Sequence, residues 1–428
     1  MSECEKVRKT KNGVSIYSYK NPALHSFYIS AFIKAGCMYE DERLSGITHF
    51  LEHAVIRNVN KLYGMTLYSL LDRRGIEFNA STYSEMVQFY ISGGSVNFNT
   101  GAEVISKILC PIALDKNEID AERKRIKAEI RESDDKNSLA SFTAKIVFEG
   151  TSLASSIVGT NASIDRISSA RLEKYRREIS TPSNVFFYVT GNFTDGDLDF
   201  LASLIEEAEL LPDTELRENH APVPEKFGKR DASVYVKSAD FTMARFTFDI
   251  DMSRVKFAEC DLLYDILLSG YDSPLFIEMS EKRGLCYDVN GALERYANIG
   301  TLNFSFELMG KNLVSAVRLV VDILNRIKRG EGIGRECMKA GYVDNAYMLY
   351  DDPRELNFTF AYDNHIIGAK YQSVESRRRC YEQISEVDVS RAAREIFRTS
   401  NLTFTVKGDK KSIDTLEIKD ILADLSEN

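Results

Sequence analysis

The chain carries one pattern twice. "ISSARLEKYRREISTPSNVFFYVTG" ends at Gly191 and "ISEVDVSRAAREIFRTSNLTFTVKG" ends at Gly408, and the two align without a gap at a separation of 217 residues. Ile167 meets Ile384, Ser168 meets Ser385, and Arg177-Glu178-Ile179 meets Arg394-Glu395-Ile396. Further on, Ser183-Asn184 meets Ser400-Asn401, while Phe187, Val189 and Gly191 meet Phe404, Val406 and Gly408. Solenoid repeats have periods of ~20–50 residues. This period is half of the 428-residue chain, so the pattern predicts two homologous domains.

Each copy reads as helix, turn and strand. "ARLEKYRREI" has helical periodicity with Pro182 just beyond it, and "NVFFYVTG" is β-branched and aromatic until it stops at glycine. In the first half "GVSIYSYK" and "HSFYISAFIKAG" read as strands, "THFLEHAVI" and "TLYSLLDRR" as helices, and "IEFNAST" with "MVQFYISGG" as a hairpin. "KNEIDAERKRIKAEIRESDD" reads as a long charged helix. Strands and helices mixed without strict alternation predict an α+β fold, each domain a mostly antiparallel sheet packed with helices. The stretch from Leu211 to Asp231 holds three of the eight prolines. It places a linker at 216–232 between a first domain at 1–215 and a homologous domain at 233–428.

A net charge of −9 argues against a nucleic-acid-binding surface. Seven scattered cysteines without a C-x-x-C pair suggest neither a disulfide framework nor a cysteine metal site, and fit a reducing, cytoplasmic setting. "MSECEKVRKTKNG" has no apolar core of a secretory signal, and no stretch approaches the ~18 apolar residues of a membrane span. "ESRRRCYEQ" around Arg377–Arg379 reads as a solvated helical face, and Cys286 as a small buried residue.

Two of only five histidines fall in "GITHFLEHAVI". On a helix His49, Glu52 and His53 stand at i, i+3 and i+4 and share one face. Two imidazoles a turn apart can bind one Zn²⁺, and a glutamate between them can accept a proton from activated water. H-x-x-E-H is the inverted form of the zinc-peptidase motif H-E-x-x-H. Catalytic zinc usually takes a third protein ligand. His25, His220 and His365 have no companion ligands nearby in sequence. The acidic helix offers Glu122 and Glu129, seven apart on one side, and spacing leaves Glu118 and Glu132 open as well.

"AGCMYEDERLSGITHFLEHAVI" resembles the signature of the pitrilysin/insulinase family of inverted-zincin metallopeptidases, most nearly its two-domain bacterial branch related to mitochondrial processing peptidase. The resemblance continues through "RRGIEFNASTYSEMVQFY", "AERKRIKAEI" and "SPLFIEMSEKRGLCYDV". It implies that His49, His53 and Glu129 bind zinc, that Glu52 is the general base, and that Glu122 supports the site from behind the ligands. It also implies that Asn79, Ala80, Ser81 and Thr82 form the edge strand on which a peptide pairs. The family's second domain supplies an arginine and a tyrosine that hold substrate. Tyr287 matches the tyrosine, but Ser280 stands where the arginine is expected, and Arg283 lies one turn away.

The implied function is a zinc-dependent endopeptidase that cleaves extended peptides inside a clamshell chamber. Relatives enclose substrate between four domains and one chain supplies two, which implies a homodimer, or a heterodimer with a related subunit carrying the complete arginine–tyrosine pair. The rival expectation is a non-catalytic or partner-dependent subunit of a peptide-processing complex. Leader-peptide trimming is the narrower enzymatic alternative.

Overall fold

The computed structural model describes residues 4–133, 138–213, 230–236, 241–331 and 340–425. Six strands build the first sheet: β1 (Lys6–Lys9), β2 (Ser15–Lys20), β3 (Ser26–Lys34), β4 (Glu77–Thr82), β5 (Met86–Gly94) and β6 (Val185–Gly191). Their order is β1-β2-β6-β3-β5-β4. The second sheet contains β7 (Arg230–Tyr235), β8 (Thr242–Asp251), β9 (Cys286–Arg295), β10 (Ile299–Leu308) and β11 (Leu402–Gly408), in the order β7-β11-β8-β10-β9. One pair in each sheet is parallel, β2 with β6 and β7 with β11; the rest are antiparallel. The expected α+β architecture of two homologous domains is what the chain adopts.

The sequence repeat is realised residue for residue. Helix Ser169–Ile179 and helix Glu386–Ile396 are 217 apart at both ends, and so are β6 and β11. Ser168 and Ser385 each cap their helix by accepting a backbone N–H three residues on, from Arg171 and Asp388.

Two compact units result, and they are not continuous halves. The first comprises 1–134, 150–220 and 347–374; the second comprises 135–149, 221–346 and 375–428. Each unit takes in a segment from the other half of the chain, which continuous boundaries at 1–215 and 233–428 leave out. Of the linker expected at 216–232, residues 216–229 lie outside the described residues, and Arg230–Ala232 already belong to β7.

The inserted segments explain the burial patterns. Nearly all of β3 and all of β6 are buried, so these strands are covered on both faces and read as continuous apolar runs. On one face lies a core of residues such as Phe27, Ile29, Phe50, Ala54, Ile126 and Leu172. On the other lies helix Pro353–Ala361 from the later half, which packs on β3 and β6. Its Asn357 is 0% exposed: its Oδ1 accepts from Ser30 Oγ at 2.6 Å, and its Nδ2 donates to Tyr188 O at 2.9 Å and to Thr190 Oγ1 at 3.3 Å. In the second unit, helix Leu139–Val147 from the earlier half packs on β11 and β8, and Thr143 Oγ1 meets Thr405 Oγ1 at 2.6 Å.

Arg377 departs from the solvated face expected of it. It is buried, with its guanidinium 5.4 Å from the Tyr342 ring centroid and 4.9 Å from that of Tyr381. Arg378 and Arg379 do remain at the surface side, paired with Glu375. Cys286 is buried, as expected.

Candidate metal centre

Helix α1 (Ile47–Leu62) carries the H-x-x-E-H pattern. Its start is fixed by Glu40, whose carboxylate accepts from Gly46 N at 2.8 Å and Thr48 N at 2.9 Å, which satisfies the first N–H groups and suits the positive end of the helix. Gly46 sits at φ 86, and a Cβ there would stand 2.8 Å from Gly159 Cα, so only glycine fits. Phe50, Leu51, Ala54 and Val55 bury the apolar face of α1. The opposite stripe holds His49, His53, Arg57 and Lys61 at four-residue steps.

That stripe faces helix α2 (Lys116–Ser133) and meets its acids in antiparallel order. Lys61 Nζ lies 2.7 Å from Glu118, and Arg57 Nη1 lies 2.7 Å from Glu122. At the far end, His49 Nε2 and His53 Nε2 lie 3.6 and 3.5 Å from the same atom, Glu129 Oε2. The ladder sorts the four acids that spacing left open. Glu118 and Glu122 are taken by cations, Glu132 is exposed, and Glu129 alone meets both imidazoles.

The donor set fits zinc. Two imidazole nitrogens and one carboxylate oxygen lie within 4.8 Å of one another. Ligands on a tetrahedral Zn²⁺ at bond lengths of ~2.0–2.2 Å stand about 3.3–3.6 Å apart, which the N···O separations of 3.6 and 3.5 Å match. Burial, reinforced by the neighbouring imidazole of His53, pushes His49 down to about 4, so it is neutral and offers a lone pair. Burial also works against a charge on His53, but Glu122, Glu129 and Glu52 outweigh it and hold that imidazole above its usual value. Glu122 Oε2 lies 3.4 Å from His53 Nδ1; accepting a proton there leaves the Nε2 lone pair directed at Glu129. Burial would raise Glu122, yet His53, Arg57 and Arg125 hold it ionised and low. His49 Nδ1 is buried without a hydrogen-bond partner among the described residues.

Glu52 belongs to the same turn. Burial raises its carboxyl above the usual range, and the Thr82 hydroxyl, donating to Oε2 at 2.5 Å, opposes that rise. Thr82 ends β4, which is an edge strand paired only with β5 among the described residues. Tyr83 N–H donates to Met86 O at 2.8 Å, so the alternation turns the backbone of Ser81 and Asn79 towards β5 and that of Thr82, Ala80 and Phe78 towards the open edge. The Ala80 N–H is occupied by the side chain of Asn79, whose Oδ1 accepts at 2.9 Å.

Tyr287 and Arg283 belong to the second unit. Tyr287 lies on β9, an edge strand of its sheet, and is 94% exposed. Ser280 Oγ donates to Tyr287 O at 2.9 Å. Arg283 is tied to Glu278 by an ion pair and by a bond to its carbonyl at 3.1 Å. Residue-by-residue reading passed over Arg57 and Arg125, which flank Glu122, and Met65 and Tyr68, which line a cavity of about 370 Å³ beside Glu52 and His53. Helical spacing from His53 would have found Arg57. Nothing local announces Met65, whose backbone is left-handed at φ 64.

Known proteins share this plan. Residues 15–161 match the family described as insulinase (peptidase family M16), and residues 166–337 match the peptidase M16 inactive domain. A zinc protease of Mycobacterium bovis is 22% identical over 412 residues, covering 94% of this chain and 93% of that protein. A zinc protease of Rickettsia bellii is 26% identical over 415 residues, covering 95% and 96%. The crystal structure of a protease from Helicobacter pylori superposes with a TM-score of 0.80 at 18% identity, over 95% of this chain and all of that one, which establishes the fold. With two matched domains in order along most of its length, the chain belongs to the insulinase family of peptidases, M16.

Proposed function

We propose that this protein is a zinc-dependent endopeptidase acting on extended peptides. The observation that carries the reading is the convergence of His49 Nε2, His53 Nε2 and Glu129 Oε2, with Glu52 on the same helical turn. His49, His53 and Glu129 would hold Zn²⁺, and Glu122 would keep His53 in the ligating tautomer. When bound, zinc supplies Lewis acidity: it polarises a carbonyl oxygen and lets water act as a nucleophile near neutral pH. Glu52 takes a proton from the attacking water and delivers it to the amine nitrogen that leaves as the C–N bond breaks.

The peptide adds to the open edge of β4 along Asn79, Ala80, Ser81 and Thr82, bonded by main-chain groups that accept many sequences. The outward backbone of Ala80 and Thr82 supports this, and the Asn79 side chain must release the Ala80 N–H for the strand to form. Tyr287, with Arg283 beside it, would hold substrate from the second unit. A homodimer, or a heterodimer with a related subunit, would complete the enclosure. A cytoplasmic setting is supported by the described cysteines, all of them unpaired. Among the described residues no helix is long and apolar enough to cross a membrane.

A second reading, a subunit that cleaves only with a partner, is favoured by Ser280 standing at the arginine position while Glu278 engages Arg283. Metal analysis and cleavage of a quenched unstructured peptide, on the purified protein alone, test both. Wild type and Glu52→Gln should each hold one zinc per chain, with cleavage by Glu52→Gln lower by about 10²–10⁴-fold. Glu129→Ala should lose its metal. Full zinc in Glu129→Ala, or undiminished turnover in Glu52→Gln, would refute the assignment; zinc-loaded but inactive wild type favours the partner-dependent subunit.

A further inference from the structure

Beside the metal ligands lies a cavity of about 370 Å³, near the lower end of ~300–1,000 Å³ for small-molecule sites. One wall is apolar: Ile56, Met65 and Tyr68. Met65 is fixed there by an unusual backbone. It follows Gly64 at φ 60, is itself left-handed at φ 64, and donates its N–H to Asn60 O at 2.9 Å. Both Met65 and Tyr68 keep about half of their surface open to solvent.

The other wall is charged and unbalanced. Glu122 Oε1 accepts from Arg57 Nη1 at 2.7 Å and lies 3.5 Å from Arg125 Nη1, while its Oε2 faces His53. One carboxylate, 2% exposed, therefore serves two guanidiniums and an imidazole. Arg57 Nε is buried with no hydrogen-bond partner. The Arg125 side chain is 68% exposed and meets no other acid among the described residues. The remaining acids of the site, Glu52 and Glu129, would be matched in charge by a divalent cation on the proposed ligand set. One positive charge is left over, together with several unused N–H donors, where a substrate side chain would enter. Guanidiniums with open donors recognise carboxylates, often in bidentate fashion.

We propose that this cavity is a carboxylate-reading subsite: it takes an acidic side chain of the bound peptide, its methylenes against Ile56, Met65 and Tyr68, its carboxylate on Arg125 with Arg57 behind. The inference rests on the peptidase reading and goes beyond it by naming the residue class that the enzyme selects near the scissile bond.

The test uses the zinc-loaded full chain and quenched peptides with amidated C-termini, in which Glu, Gln and Lys are stepped through each position around the cleaved bond. At one position Glu should exceed Gln in kcat/KM by about tenfold, the scale of one charge-assisted hydrogen bond, with Lys below Gln. Arg125→Glu should reverse that order, and Arg125→Gln should flatten it, with zinc content unchanged in both. Binding to zinc-loaded Glu52→Gln, read by fluorescence anisotropy, should show the same preference without turnover. Cleavage without charge preference, or the same preference in Arg125→Glu, overturns the subsite and leaves the peptidase reading intact. Matched peptides with a free C-terminus form the control, and a preference seen only in them overturns the side-chain assignment. Zinc-loaded protein that cleaves no peptide overturns the stand-alone peptidase reading, and equal binding of Glu and Gln peptides by Glu52→Gln then overturns the subsite as well.

Discussion

Replacing Thr82 with valine tests how Glu52, the proposed general base, is held. Valine keeps the β-branch and the strand preference, and leaves the outward main-chain groups of β4 in place. It removes the hydroxyl that donates to Glu52 Oε2 at 2.5 Å, the one hydrogen bond to that carboxylate among the described residues. A hydrogen bond to a charged group is worth ~1.5–3 kcal/mol, and each ~1.4 kcal/mol off a barrier is tenfold in rate. If the bond holds Glu52 in its reactive orientation, kcat should fall by about 10–150-fold. KM should hold, because the proposed peptide binding runs through backbone groups that valine retains. Zinc content should also hold, because Thr82 touches no ligand. Thr82→Ser, which keeps the hydroxyl, should recover most of the loss. Steady-state cleavage of a quenched peptide beside metal analysis reads all three quantities. Turnover by Thr82→Val within twofold of wild type, at full zinc, would show that the base needs no such support.

Two further changes probe the scaffold. Asp265 lies in helix Phe257–Leu268, and burial, then the neighbouring charge of Asp261, raises it from the usual 3.8 to about 6. Its folded pKa exceeds its unfolded value, so the stability it contributes is fully present below about 4 and is lost as pH rises through 6. Asp265→Asn should therefore stabilise the protein at pH 8 by about 1–2 kcal/mol, discounted for partial exposure, and add nothing near pH 4; equal gains in thermal unfolding at both pH values would refute this. Asn357→Leu should cost about 2–4 kcal/mol in urea unfolding, because it strips partners from Ser30, Tyr188 and Thr190 in a closed interior. A loss under about 1 kcal/mol would mean that the inserted helix is held by apolar packing alone.

Much of this architecture was legible because it repeats or alternates. Ser168 and Ser385, aligned by the repeat, cap equivalent helices, and the strand after each helix ends at the glycine that the pattern marks. The reciprocal insertions were not legible. "PRELNFTFA" shows that a helix forms, but not which of two similar sheets will receive it. Only the match of Asn357 to Ser30, Tyr188 and Thr190, polar groups on an otherwise apolar face, settles that, and those residues lie far apart in the chain. Arg377 was misplaced for a like reason: Tyr381 stands one turn on in its own helix, but Tyr342, its second aromatic partner, comes from a separate segment.

The third metal-ligand candidate shows where sequence reading stops and what replaces it. Four glutamates on α2 had acceptable spacing, and resemblance alone singled out Glu129. The packed helices supply a physical reason. Residues 49, 53, 57 and 61 run along one stripe as His, His, Arg and Lys, and the acids opposite pair with them in order. Lysine and arginine carry fixed charges, so their rungs close as ion pairs. Imidazoles can be neutral donors, so the last rung brings two ring nitrogens and a carboxylate oxygen together, a set that one cation can share. The same helix pairing thus makes two salt bridges and one candidate cation site, and the residue type on α1 decides which. Exchanging Arg57 for histidine would not by itself create a second site, because His53 already directs Nδ1 to Glu122 and Nε2 to Glu129, and the Arg125 guanidinium still lies against Glu122.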